Sequence, residues 1–235
     1  MKPIRIFRHV GCEGPGYLGT LLDRHTVPYE LVCIDAGVAV PHGLDDISGL
    51  VFMGGAMNVT DPLPWIQEEQ SLIRKAIDKH VPVMGTCLGG QLMSAALGGT
   101  VTHGPGMEIG WHGVEPDIEH RDHPWLTQLP EEFIPFHWHA DTFTNPAGAT
   151  PLLHSQCRPN QAFVLNNSLA MQFHLEMTTD MVKEWVRLYP GDLEQGHPCA
   201  QTSEQILTNL PQRIDALHHC ADIIYGSWLN GLLNS

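Results

Sequence analysis

The chain has 235 residues, 43% of them apolar, and 26 acidic against 12 basic residues give a formal net charge of −14. That length accommodates one good-sized α/β core, and with no run approaching 18 apolar residues no membrane span is expected. The acidic balance argues against nucleic acid and anionic membrane as partners, and the short apolar opening lacks the long core of a signal peptide.

In chain order, Ile4–Arg8 reads as a first strand. A Gly-rich turn follows (Gly11, Gly14-Pro15-Gly16), its glycines wrongly spaced for a dinucleotide fingerprint, so a flexible loop is expected there. Tyr17–His25 then reads as a helix, Tyr29–Ile34 as a second strand and Leu50–Met53 as a short buried third. Pro64–His80 has helical apolar spacing, Val81–Gly85 is a fourth strand, and Leu88–Leu97 a helix stopped by Gly98-Gly99. Strands alternating with helices predict an α/β fold: a three-layer, doubly wound, mainly parallel sheet. From Thr100 the texture changes to short runs with turns between them: Val101–His103, Ile109–Val114, Glu132–His137, Leu152–Gln156, Gln161–Leu165 and Ala170–His174. These read as antiparallel strands and hairpins added at the sheet edge. Residues 180–190 are helical, and Thr202–Leu233 carries one long apolar stripe. The expected organisation is a domain over 1–190 and a C-terminal helical extension over 191–235 packed on it.

Chemistry concentrates in Val83-Met84-Gly85-Thr86-Cys87-Leu88-Gly89-Gly90-Gln91. Gly-x-Cys-x-Gly between a strand and a helix is how a sharp elbow carrying a nucleophile looks, the glycines letting the backbone close tightly. At a helix N-terminus the free N–H groups and the dipole favour a thiolate. A base and an orienting acid are offered by Met171-Gln172-Phe173-His174-Leu175-Glu176, since alternate residues of an extended segment share a face. Upstream, Val51-Phe52-Met53-Gly54-Gly55 is a strand ending in Gly-Gly, and a backbone N–H there (Gly55), with that of Leu88, could form an oxyanion hole. His137-Trp138-His139 could place two imidazoles on one strand face, but no carboxylate or third His has a companion spacing, so neither metal nor cofactor is expected.

In this order, these motifs resemble the class I (triad-type) glutamine amidotransferases, in particular their free-standing, GMP-synthase-like branch, and the framework covers roughly residues 1–190. The resemblance implies a flavodoxin-like fold and hydrolysis of a side-chain amide through a γ-glutamyl thioester. Cys87 would be nucleophile, His174 base and Glu176 orienting acid. It also implies that Gln91 helps bind glutamine and that the backbone around Trp138-His139 meets its α-carboxylate, because His139-Ala140-Asp141 looks like the family's His-Gly-Asp segment. Ala56 stands where the family commonly has Pro after Gly-Gly.

The resemblance leaves the ammonia acceptor open. Residues 191–235 are too short for a synthetase domain, so a separate synthase or acceptor subunit is one expectation. A γ-glutamyl peptidase acting on γ-glutamyl conjugates is an alternative, and a non-catalytic binding or regulatory module another. The stripe of 202–233 is most simply a helix on the core, with a homodimer interface as its alternative. The six cysteines form no Cys-x-x-Cys pair and read as reduced thiols in a cytoplasm, and His218-His219-Cys220 as partly exposed surface.

Overall fold

The computed structural model describes residues 1–194 and 196–233; Gln195, Asn234 and Ser235, part of the expected 191–235 extension, lie outside the described residues. Along the chain run β1 (Ile4–Arg8), α1 (Gly16–Arg24), β2 (Tyr29–Cys33), β3 (Gly49–Phe52), α2 (Pro64–Asp78), β4 (Val83–Thr86) and α3 (Leu88–Ala96). Then come β5 (Val101–Trp111), β6 (Val114–Pro116), β7 (Phe136–Phe143), β8 (Thr150–Ser155), β9 (Ala162–Leu165) and β10 (Ser168–Met171). The chain ends in α4 (Thr179–Leu188), α5 (Pro190–Leu193), β11 (Cys199–Ala200), α6 (Ser203–Leu207) and α7 (Leu210–Leu233).

The main sheet has the order β2-β1-β3-β4-β10-β9-β8-β6. Its first five strands are parallel and the last three join antiparallel. Alternation along the strands sorts the core into two layers. Ile4, Ile6, Val51 and Met84 face α1, α4 and α7, whereas Phe7, Leu50, Phe52 and Val83 face α2 and α3. Helices therefore cover both faces, as the alternating pattern predicts. Helix α7 belongs to the first layer through Leu217, Ala221, Trp228 and Leu232. Leu217 and Leu232 each contribute roughly 1.5–3 kcal/mol by leaving water, and with Trp228 they make this helix part of the core. Among the described residues no helix is long and apolar enough to cross a membrane.

Four expectations need correction. The run Ala170–His174 does not lie at the edge: β10 pairs parallel with β4 in the sheet centre, with all four residues buried. A strand covered on both faces is largely apolar, and the one polar side chain of β10, Ser168, accepts a hydrogen bond from the Val83 N–H at 3.0 Å. Val101–His103 and Ile109–Val114 are not two edge strands. Val101–His103 and Ile109–Trp111 fuse into β5, interrupted by a bulge between His103 and Glu108, and β5 with β7 and β11 forms a separate three-stranded sheet, while Val114 opens β6 at the edge of the main sheet. The six cysteines are not all thiols: Cys157 and Cys199 form a disulfide with Cα atoms 6.3 Å apart, while Cys12, Cys33, Cys87 and Cys220 are unpaired. The parallel pairing of β11 with β5 brings these two together across 42 residues, a separation that no local Cys spacing reveals. Finally, Cys220 is buried in the core, and only its histidine neighbours reach toward the surface.

Candidate active site

Strand β4 runs through the sheet centre and stops at Cys87, after which α3 starts at once. Cys87 has φ 51° and ψ −109°, a conformation that costs a non-glycine residue about 1–3 kcal/mol. The turn closes because its neighbours have no side chains. A Cβ on Gly89 would lie 2.0 Å from the Phe52 carbonyl oxygen, and one on Gly85 2.4 Å from the Gly89 carbonyl carbon. The Cys87 N–H donates to the Met171 carbonyl at 2.8 Å, which ties the elbow to the end of β10. The Trp138 carbonyl oxygen lies 4.0 Å from the thiol sulfur.

Beyond Met171 the chain leaves the sheet and carries His174 to the same spot. The His174 N–H donates to the Phe136 carbonyl at 2.8 Å, which fixes the backbone. Its Nδ1 lies 2.6 Å from Glu176 Oε1, and the Trp185 ring packs edge-on against the imidazole at 5.0 Å. Among the described residues Nε2 has no partner within hydrogen-bond geometry, and Cys87 adjoins the ring. Burial opposes a charge on His174, but the Glu176 carboxylate and the adjacent Cys87 outweigh it and hold its pKa well above the ordinary histidine value.

The Gly54-Gly55 turn follows β3 and packs directly over the elbow. A Cβ on Gly55 would sit 2.8 Å from the Leu88 side chain and 3.1 Å from His9. Beneath it lies a buried pair that the sequence did not signal. His9 Nδ1 contacts the Met53 and Gly54 carbonyls, both at 3.1 Å, and its Nε2 lies 3.0 Å from Glu69 Oε2. Burial pulls the His9 pKa down, yet Glu69 and the two carbonyls outweigh it and raise it; burial likewise raises Glu69.

These pieces border a cleft of about 460 Å³ whose walls include Cys87, Gln91, Gly55, Trp138 and His139. The expected site residues thus gather in one place, with Leu88 buried behind the elbow. Gln91 is held by Gln172, 3.4 Å from its amide nitrogen. The Trp138 indole donates to Asp192 at 2.9 Å. The His139 ring turns away from the thiol: Nδ1 meets the Asp141 carbonyl at 2.9 Å and Nε2 lies 3.1 Å from Glu108.

Other wall residues escaped the sequence reading: Glu13, Trp185, Tyr189 and Asp192. The Gly-rich turn expected to be a flexible loop instead buries His9 and Glu13. Its glycines serve close approach, since a Cβ on Gly16 would lie 2.2 Å from the Glu176 carbonyl oxygen, and the Tyr17 N–H donates to that oxygen at 2.8 Å. Burial, with Glu176 nearby, pushes the Glu13 carboxyl up to about 7 although His174 and His9 pull the other way. Asp192 follows Pro190, where helix-breaking punctuation gave no hint of a site wall.

A second cluster adjoins the first. Glu108, His137 and His139 bring three metal-competent atoms within 4.8 Å of one another, all buried. The carboxylate that the spacing around His137-Trp138-His139 lacks arrives from β5, whose register sets Glu108 opposite His139. Burial pulls His137 down to about 3. Glu108 is held well below the usual carboxylate range: burial opposes this, but both histidines and Ser155 outweigh it.

Comparison with known proteins places this geometry. The family described as "Glutamine amidotransferase class-I" matches residues 21–185. The glutamine amidotransferase-like protein YfeJ of Salmonella typhimurium is 31% identical over 74% of this chain and 76% of its own. A glutamine-hydrolysing GMP synthase of Thermomicrobium roseum is 30% identical over 55% of this chain, which spans only 23% of that longer protein. Among solved structures, a glutamine amidotransferase from Methylobacillus flagellatus superposes with TM-score 0.94 at 37% identity, covering 98% of this chain and 95% of that one. One from Thermotoga maritima gives 0.86 at 27% identity, covering 100% and 99%.

Proposed function

The chain belongs to the class-I glutamine amidotransferase family, and from that premise we propose that it hydrolyses a γ-glutamyl amide, glutamine first, through a thioester on Cys87. Cys87 Sγ attacks the amide carbon as its proton passes to His174 Nε2. Glu176 holds the opposite ring nitrogen and stabilises the imidazolium. The backbone N–H groups of Gly55 and Leu88 receive the oxyanion. Collapse expels ammonia with the proton from His174, and water then cleaves the thioester to glutamate. Gln91 and the backbone at Trp138 and His139 would position the substrate. The observation that carries this reading is the 2.6 Å contact between His174 and Glu176 behind a strained Cys87.

In this proposal residues 1–190 form the amidotransferase domain and 191–235 its extension. Ammonia passes to a separate synthase subunit, and the enzyme works in the cytoplasm with its catalytic thiol reduced, although Cys157 and Cys199 are paired. A second reading is favoured by the cleft, whose 460 Å³ falls within the range of ligand sites and leaves room for a γ-glutamyl conjugate with a larger leaving group. Ammonia and amine release should be measured over glutamine and a panel of γ-glutamyl amides, with Cys87→Ala as blank. Glutamine ahead by kcat/KM supports the first reading, a conjugate ahead supports the second, and no release above the blank from any of them overturns both.

A further inference from the structure

The cluster beside the catalytic cleft contains a conflict of lone pairs. A carbonyl oxygen can only accept a hydrogen bond, so the ring nitrogen facing it must carry the proton. His139 Nδ1 faces the Asp141 carbonyl at 2.9 Å, and His137 Nε2 faces the His112 carbonyl at 3.3 Å. With one proton on each ring, held toward the carbonyl, each imidazole turns a bare nitrogen inward. These are His139 Nε2 and His137 Nδ1, 3.1 and 3.8 Å from Glu108 Oε2, and among the described residues neither makes a hydrogen bond of ordinary geometry. Three electron-pair donors face one another in a buried space.

The surroundings match what metal ligands need. Imidazoles that bind metals donate their outer N–H to carbonyls or carboxylates, and ligating carboxylates are themselves hydrogen-bonded. Here Ser155 donates to Glu108 Oε1 at 2.8 Å and Gln161 to Oε2 at 2.7 Å. The nearby Arg158 guanidinium gives its terminal nitrogens to the Cys157 and Gly106 carbonyls. A tetrahedral zinc with bonds of about 2 Å sets its ligands roughly 3.4 Å apart, and the two contacts to Glu108 bracket that spacing. Glu108 also borders a second cleft of about 570 Å³, one that Cys87 does not line.

We infer that Glu108, His137 and His139 form a binding site for a divalent transition-metal ion of the zinc type. The ion joins β5 to β7 on both sides of Trp138. It thereby fixes the strand whose Trp138 carbonyl faces the catalytic thiol. No step of the proposed amide hydrolysis passes through it.

The test uses full-length protein with Cys87→Ala, which removes the competing thiol and makes the outcome independent of amidase activity. Chelator-treated protein is titrated with Co²⁺ and followed by its visible absorption, then displaced with Zn²⁺. The expected result is one equivalent per chain. His137→Ala and, separately, Glu108→Gln should weaken binding about 100-fold or more while the circular dichroism spectrum stays unchanged. X-ray absorption of the zinc-loaded protein should show nitrogen and oxygen neighbours. Substoichiometric uptake, uptake unaffected by either substitution in a folded variant, or sulfur in the first coordination shell overturns the site. The last measurement needs no variant at the cluster, so a misfolded substitution does not shield the inference.

Discussion

The two sides of the cleft that meet at the thiol are built by different rules. On one side, β4 and β10 lie side by side in the parallel sheet, and Cys87 and His174 emerge where those strands end. Their geometry is set by backbone: a strained elbow, glycines pressed against carbonyls, and N–H groups tied to Met171 and Phe136. On the other side, β7 pairs with β5 in a small separate sheet, and that sheet is fixed in place largely by side chains. Its anchors are the Trp138–Asp192 hydrogen bond, the Glu108 cluster and, through β11, the Cys157–Cys199 disulfide. The first side should tolerate no added atom, and the second should tolerate substitutions at a graded cost.

The largest expected effect tests the backbone side. Gly89→Ala would put a methyl carbon 2.0 Å from the Phe52 carbonyl oxygen, which is main chain inside the sheet and cannot swing away. Loss of folded protein, or destabilisation above about 4 kcal/mol, is expected in urea melts. A variant melting with wild type would mean the elbow is slacker than its contacts imply. Next in size, His174→Ala should lower the acylation rate by about 10³-fold. Glu176→Gln should cost less, because it keeps an acceptor for the ring while losing the charge that favours imidazolium. Single-turnover acylation by a glutamine-mimicking electrophile measures both, and an equal or reversed order would refute the assigned roles.

The side-chain wall yields smaller numbers. Replacing both Cys157 and Cys199 by Ser opens a loop with a sequence separation of 42 and should destabilise by about 2–4 kcal/mol. Reducing wild type with dithiothreitol should reproduce that loss. Hydrogen exchange should rise in β11 and β5 and stay unchanged in β4 and α3. A melt insensitive to both treatments would show that the small sheet does not depend on this link.

This contrast also explains what could be read from the sequence. The elbow, the Gly-Gly turn and the His-x-Glu pair are local motifs in which the chemistry and the backbone requirement sit within a few residues, so each was legible. The alternation of β1, β3 and β4 with their helices was legible for the same reason. What escaped depends on long-range register. Glu108 meets His139 only because β5 pairs with β7 across a bulge. Cys157 meets Cys199 only because a two-residue strand docks on β5. Glu13 enters the cleft because the Gly-rich turn folds under Glu176, a contact across more than 150 residues that composition presents as mere flexibility. β10 was misplaced because a short, mostly apolar run such as Leu169-Ala170-Met171 suits an edge hairpin or a central strand equally until its neighbours are known.

Glu13 provides the smallest and most selective test, since it lies where the two sides meet. Its carboxyl is pushed up to about 7 by burial, against an ordinary value of 4.5. Between those values the folded protein holds a proton that the unfolded chain has lost. The stability carried by the neutral carboxyl is therefore fully present below about 4.5 and is lost as pH rises through about 7. Glu13→Gln keeps the shape and removes the titration. The stability of wild type relative to this variant should fall by about 2 kcal/mol between pH 5.5 and 8.0 in urea melts. The ionised Glu13 would also add negative charge beside His174, favouring the imidazolium that forms when the ring takes the thiol's proton. In Glu13→Gln the acylation rate should consequently gain less above pH 7 than in wild type. Parallel stability curves for the two proteins would show that Glu13 ionises normally and is better solvated than its burial implies.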